Sequence, residues 1–411
     1  MALVSEDRGK GAGVSDALPL PRRIAILILL LATEFFYGWA WNTVDVLRPY
    51  LRASFGLSLV QAGSMYTAQG CGALIGGIVM GQLADRFGRR LMLAVVVAGY
   101  GSLLILGTVM PNYFSLLAQR FLMGACMGGY FSVEVGIYVN LFKASLRGRV
   151  AGLLNAFFSL SIVGLGIAMG IVTNNGWRTL LWIGGVPALA LAGLALVAIP
   201  ADSPIDRFHA RSGTLPVLEL FHRGVVRQTL MLAAMTGLNF FGYQAFSGWL
   251  STYLIEVRHF DDGTAGQLVA VVYAGNIVGG FAWGWAADRF GRRFNALGFL
   301  VAAAAIVLYL AAPTNLLVLR VAGVTYGTAL CCSVVWGPWL AELYPPHLRS
   351  TAASIFNWGR IISMIAPLAT GRMAGLIGLS ASMASASIAF ILAAVIWLLQ
   401  RETLHPLPQR C

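Results

Sequence analysis

Charge is what this chain has least of. Asp, Glu, Lys and Arg supply 11% of its 411 residues, where a soluble domain carries about a quarter. A soluble chain of that length would lack the polar surface to stay in solution, and lipid is the solvent that removes the need. Cysteine is sparse as well. Cys71, Cys126, Cys331, Cys332 and Cys411 show no metal-ligand or disulfide spacing, which leaves them as small apolar packing residues. His209, His222, His259, His347 and His405 fall outside the hydrophobic stretches and form no ligand set, and no phosphate-binding glycine loop is present. These absences argue against a membrane-embedded enzyme and an ATP-driven pump. No cofactor and no metal are expected.

What the chain has instead is hydrophobic length. Apolar residues make up 58% of it, and stretches of about 20 of them, enough to cross the hydrocarbon core as a helix, recur almost throughout. Twelve spans are expected, numbered in order: 24–47, 58–80, 91–110, 114–139, 150–172, 179–199, 229–254, 264–286, 294–312, 315–340, 351–371 and 378–400. Backbone groups in lipid must be satisfied within the segment, and the runs are too long for barrel strands, so the fold class is all-α. Residues 1–21 are polar, without periodicity, and read as a tail. Span 1, at 24 residues, exceeds a signal-peptide core.

The net charge of +12 invites a nucleic-acid partner, and the placement of the charges rejects one. With the N-terminus in the cytoplasm, five of the 28 Lys and Arg are external (Arg48, Arg52, Arg178, Arg258, Arg372), three lie within spans (Arg120, Arg320, Arg360), and the other 20 are cytoplasmic. That asymmetry is the positive-inside rule. An even number of spans then puts both tails in the cytoplasm of a multi-pass cell-membrane protein, expected to be a monomer.

The chain also repeats itself. GQLADRFGRR at 81–90 and GWAADRFGRR at 284–293 agree at eight of ten positions, 203 residues apart. Arg120 and Arg320 both lie early in a span and precede glycines, and Asn140 with Arg147 recurs as Glu342 with Arg349. Features kept in step at nearly one offset, 200 to 203 residues, indicate a duplicated six-span unit, and parallel copies imply two bundles with a cavity between them near the midplane. The expected organisation is a tail 1–21, a bundle 22–199, a polar linker 200–228, a bundle 229–400 and a tail 401–411. Gly81 and Gly88 suit close helix approach and a tight turn. Asp85 stands where it can pair with Arg86 or Arg89 or meet a helix N-terminus. Such a latch, repeated as Asp288, Arg289, Gly291 and Arg292, would favour one state of a two-state machine.

The segment 81–90, its copy at 284–293, and LLAQRFLMG at 116–124 with its buried Arg and following Gly together resemble the major facilitator superfamily over residues 22–400. The resemblance implies twelve helices in two six-helix bundles and alternating-access transport, with gating roles for the residues of the two signature copies and for the acidic–basic pair Glu342 and Arg349. GRIISMIAP at 359–367 resembles span 11 of aromatic-acid:proton symporters and organic-anion carriers. Exporters of the drug:proton type carry a Gly-Pro motif in span 5, which 154–172 lacks.

Ionisable groups inside spans cost about 2.5–3.5 kcal/mol each at the centre, so the few present carry information. Glu34 lies eleven residues past Arg23, about 16 Å deep, amid Tyr37, Trp39, Trp41 and Asn42. It reads as a protonatable carboxylate, or as one tied structurally to a neighbouring span. Asp45, three residues before Arg48, has the spacing of a local helical pair and is carried as a further coupling residue. Arg120 and Glu134 share span 4, on one face within about 40° but about 21 Å apart; the resemblance gives Arg120 a part in proton transfer. Arg320 reads as its structural echo. Arg360 lies near the midplane, and its guanidinium fork suits a substrate carboxylate. Asn239, Tyr243, Gln244 and Asn276 are polar groups that need partners in lipid, and are expected at the substrate. The expected function is proton-coupled symport of a small organic acid, with small-molecule substrate, protons and the bilayer as partners. The alternatives are a drug or metabolite:proton exporter or, remotely, a transporter-like sensor.

Overall fold

The computed structural model describes residues 18–200, 220–222, 225–344 and 355–403. Arg349, the side chains of Asp85 and Arg360, most of the expected linker 200–228 and most of the tails 1–21 and 401–411 lie outside the described residues. Each expected span is a helix. In order they are Leu20–Val46, Leu59–Phe87, Arg89–Leu106, Tyr113–Met127 continued by Tyr130–Leu141, Ala144–Asn175, Arg178–Ala198, Val226–Phe246, Asp262–Phe290, Ala296–Ala311, Leu316–Leu330 continued by Trp336–Glu342, Ile355–Ile377 and Leu379–Leu398. Spans 1–6 pack as one bundle and spans 7–12 as a second.

The duplication is visible in how the helices start and stop. Spans 2 and 8 begin at side-chain caps, Ser58 accepting from Gln61 N–H and Asp261 from Thr264 N–H; spans 4 and 10 do the same at Asn112 and Asn315. An N-cap acceptor satisfies one of the orphan N–H groups of a first turn. Both pairs of caps stand 203 residues apart. Spans 2 and 8 end at Gly88 (φ 92°) and Gly291 (φ 96°), and the turns before spans 6 and 12 use Gly176 (φ 77°) and Gly378 (φ 84°). Only glycine adopts such φ without penalty. Spans 4 and 10 are both interrupted in mid-membrane, at Gly128–Gly129 and at the 3₁₀ turn Cys331–Val335.

Several expectations need correction. Span 2 continues as helix to Phe87, so the first signature segment is mostly helical and only Gly88 makes the turn. At Gly81 an added Cβ would meet nothing within 4 Å, so no close helix approach requires that glycine. Span 11 runs on to Ile377, which puts Arg372 inside a helix rather than in an external loop. Helical hydrogen bonding continues past the hydrocarbon edge, whereas hydrophobicity, the signal read from sequence, stops there.

Among the described residues, nine helices are long and apolar enough to cross a membrane on composition alone; spans 2, 7 and 11 are not among them. Each of these three makes polar contact with the opposite bundle. Thr67 of span 2 donates to the Met364 carbonyl of span 11 at 2.6 Å, and Gln244 of span 7 reaches Asp45 of span 1. The hydrogen bonds and ion pairs found between the bundles among the described residues run from near the midplane, at Ser159–Asn276 (3.1 Å), to the end away from the termini. At that end backbone meets backbone: Gly166 and Gly266 face each other so closely that a Cβ on Gly266 would sit 2.0 Å from the Gly166 carbonyl oxygen. This end of the molecule is sealed.

Candidate functional site

The seal is built on span 1. Its last turn brings Asp45 beside Arg48 at 2.5 Å, and both are buried. Gln244 crosses from span 7 to donate to both carboxylate oxygens, at 2.9 and 3.0 Å, while the Ser251 hydroxyl donates to the Asp45 carbonyl at 2.7 Å. Span 7 ends irregularly, as a 3₁₀ turn at Ser247–Trp249 and a π turn at Tyr253–Val257, and such breaks in an α-ladder mark functional positions. Arg48 donates to the Gly248 carbonyl there and lies over the Trp249 ring, 4.3 Å from its centroid. Arg52 with Glu256, and Tyr50 with Asp262 at 2.9 Å, extend the lock outward. The spacing of Asp45 and Arg48 foretold their local pair. Nothing in the spacing foretold that Gln244, expected at the substrate, holds Asp45 from the other bundle.

Arg120 adds to this cluster, donating to Thr43 Oγ1 at 2.9 Å with Asp45 as its acidic neighbour. Span 4 passes from Tyr113–Met127 to Tyr130–Leu141 through Gly128 and Gly129, both right-handed in φ and ψ, so Arg120 and Glu134 stand on successive segments of it. Glu134 meets Glu34. The two carboxyl groups lie within hydrogen-bonding reach of each other in the core of the first bundle, both buried. Tyr130 donates to Glu134 at 3.2 Å and lies 3.0 Å from the Thr33 hydroxyl, and the Tyr100 hydroxyl donates to the Thr33 carbonyl at 3.2 Å. An aromatic ladder leads away from the pair. Tyr130 stacks on Tyr37 (centroids 4.3 Å apart), Tyr37 on Trp41 (6.2 Å), and Trp41 meets Tyr66 edge-on (6.2 Å). Glu34 and Asp45 are eleven residues apart on one unbroken helix, so they project within about 20° of each other at a separation of about 16 Å. The carboxyl pair and the lock are thus mounted on the same rigid element.

The remaining expected residues fall at the midplane and at the termini end. Asn276 accepts from Ser159 across the bundles. Tyr243 and Tyr273 share a hydrogen bond of 3.0 Å. Asn239 is buried with its carbonyl oxygen unpartnered among the described residues. Arg360 stands on span 11 next to Gly359, where an added Cβ would sit 2.7 Å from the Thr236 backbone of span 7. At the termini end, Arg89 donates to the Gly136 carbonyl at 3.0 Å, tying the first signature to span 4. In the second copy Arg292 pairs with Asp288 at 3.1 Å and with Glu342 at 3.5 Å. Arg86 and Arg289 are exposed, Arg86 lying over the Phe87 ring. Sequence reasoning missed Glu402, which accepts from the Arg292 and Arg293 N–H groups, and Thr403, which donates to Glu342 at 2.5 Å. Their signal was the short run after span 12, read as tail.

The family profile of the Major Facilitator Superfamily matches residues 30–358 and 236–410. The chain is 28% identical over 346 residues to the cis,cis-muconate transport protein of Acinetobacter baylyi, covering 80% of this chain and 83% of that one. It is 26% identical over 378 residues to the gentisate transporter of Corynebacterium glutamicum, covering 85% and 81%. Among solved structures, a bacterial homologue of the human lysosomal transporter Spinster, crystallised in an inward-facing and unoccupied conformation, superposes with a TM-score of 0.76 at 17% identity over 93% of this chain and 97% of that one. Twelve helices in two bundles, the duplicated signature and these matches together identify the chain as a multi-pass membrane transporter of the major facilitator superfamily, not an enzyme.

Proposed function

We propose that this transporter moves a small organic acid together with a proton by alternating access. The observation that carries the proton is the Glu34–Glu134 contact. Two carboxyl groups that close, away from water, cannot both hold a negative charge, so the pair binds one proton between them. Tyr130 and Thr33 hold the pair in place. The related muconate and gentisate transporters support an acid as cargo. Arg360 is the group we assign to its carboxylate, since a guanidinium stays charged and can form two parallel bonds. Asn239 and Asn276 are assigned beside it from spans 7 and 8, and Tyr243, next to Gln244, lies toward the seal. The positive-inside asymmetry places both termini in the cytoplasm of a cell membrane. The sealed end is then the external one, and the described conformation faces inward. A single chain contains both bundles and the whole site, so the working unit is a monomer.

The test is uptake into proteoliposomes from a panel of labelled aromatic acids, dicarboxylic acids, sugars and amines, with and without an imposed proton gradient. An acid should accumulate only with the gradient. Arg360→Lys should weaken its binding and Arg360→Ala should cost about 2–5 kcal/mol, as truncation of a buried charge partner does. Accumulation of a sugar or amine alone, or wild-type affinity in well-inserted Arg360→Ala, would overturn the reading.

A further inference from the structure

Arg320, the repeat's counterpart of Arg120, does not copy it. Gly124 and Gly128 bring span 4 onto the backbone of span 2 at Gln69 and Ala73, and Gly323 and Gly327 bring span 10 onto span 8 at Val272. The glycine stripes therefore fix the same face of both helices. Counted from their caps, Arg120 is eight residues past Asn112 and Arg320 five past Asn315, while Gly124 and Gly327, 203 residues apart, make the same close contact on Gln69 and Val272. Three residues are about 300° of helix, so Arg320 does not take the direction of Arg120. Its side chain is exposed, donates to Gln267 Oε1 of span 8 at 3.3 Å, and has no acidic partner among the described residues.

The surface around it is apolar. Val271, Arg320, Val321, Val324 and Thr325 line a groove of about 420 Å³ between spans 8 and 10, and neighbouring Leu317, Val278 and Phe281 are exposed to what must be lipid. Arg320 is the fifth residue of its helix, about 7.5 Å beyond the Asn315 cap. At that depth a long side chain reaches the boundary between acyl chains and headgroups. A charge held there without an anion is costly, and a guanidinium fits a phosphate by paired hydrogen bonds.

We propose that this groove is a phospholipid-binding site in the leaflet at the sealed end. Arg320 holds the lipid phosphate, Gln267 turns its amide N–H groups to the same phosphate while its carbonyl accepts from Arg320, and an acyl chain lies along Val271, Val321 and Val324. The site is independent of the transport pathway, since it faces away from the opposite bundle.

Native mass spectrometry of the purified full chain, titrated with dioleoyl phosphatidylglycerol, reads the site directly. Arg320→Ala should lower retention of that lipid about fivefold, the loss of one basic contact at a charged lipid surface, and Arg320→Lys should keep part of it. Val324→Phe, which fills the groove and leaves the arginine, should also lower it. Dioleoylglycerol, which lacks the phosphate, should be retained poorly and equally by all variants. Glycerol phosphate, which lacks the chains, should not displace the bound lipid. Arg372→Ala, a second exposed arginine in the same half of the membrane, should change nothing. Equal retention by Arg320→Ala and wild type overturns the site. So does an equal loss in Arg372→Ala, or retention of dioleoylglycerol as strong as that of the phospholipid.

Discussion

Replacing Asp45 by Asn removes the charge that Arg48 and Gln244 both meet, and leaves Arg48 buried with only the Gly248 carbonyl and the Trp249 face. Breaking a buried pair from one side costs about 3–5 kcal/mol. Gln244 and the Gly248 carbonyl reach this local pair from the other bundle only while this end is shut, so the cost of their loss falls on the sealed state. In a cysteine-free background, a cysteine placed at Thr67 is half-buried in the seal, against span 11. It should react readily with an impermeant thiol reagent from the sealed side in the Asp45→Asn protein and slowly otherwise; equal reactivity would separate Asp45 from the gate. Residue by residue, the sequence was most legible where a charge stood inside a span. Glu34, Glu134, Arg120 and Asp45 announced themselves by what they cost in lipid, and the structure gives each a polar partner. Which partner was not legible. Gln244 lies 199 residues from Asp45, and no local spacing carries information over that distance.

At the scale of helices, closure depends on small residues where the bundles touch. Gly266→Ala would press a methyl group onto the Gly166 carbonyl. Overpacking of this kind costs about 1–3 kcal/mol, which shifts a two-state population by about 5- to 150-fold. The sealed state should become the minor one, read as increased labelling at position 67 and slower transport. Gly280→Ala and Gly284→Ala on the same helix, where an added Cβ meets nothing within 4 Å, should be silent; a slow Gly280→Ala protein would mean that glycine content, not contact, matters. Twelve helices were readable because a run of about 20 apolar residues has few other uses. Their ends were less so, as spans 2 and 11 show, since caps and turn glycines rather than hydrophobicity decide where a helix stops. The five-versus-eight spacing of Arg320 and Arg120 from their asparagine caps was legible from the start. A duplication invites the assumption that similar residues point the same way, and here a slip of three residues changes the environment.

Over the whole molecule, two devices share span 1: a carboxyl pair in the first bundle and, about 16 Å further along the same face, the lock that joins the bundles. Under the proposed function, a rigid helix that carries both would let proton binding at one end bias closure at the other, which is what coupling requires of an alternating-access machine. The most direct measurement is a paired assay in proteoliposomes with one transported acid: uphill accumulation under an imposed pH difference, and exchange of labelled for unlabelled acid with no gradient. Wild type should do both. Glu34→Gln and Glu134→Gln should each abolish accumulation while exchange continues, because the proton site is lost and the substrate path is not. Accumulation against a gradient by both variants would contradict the account.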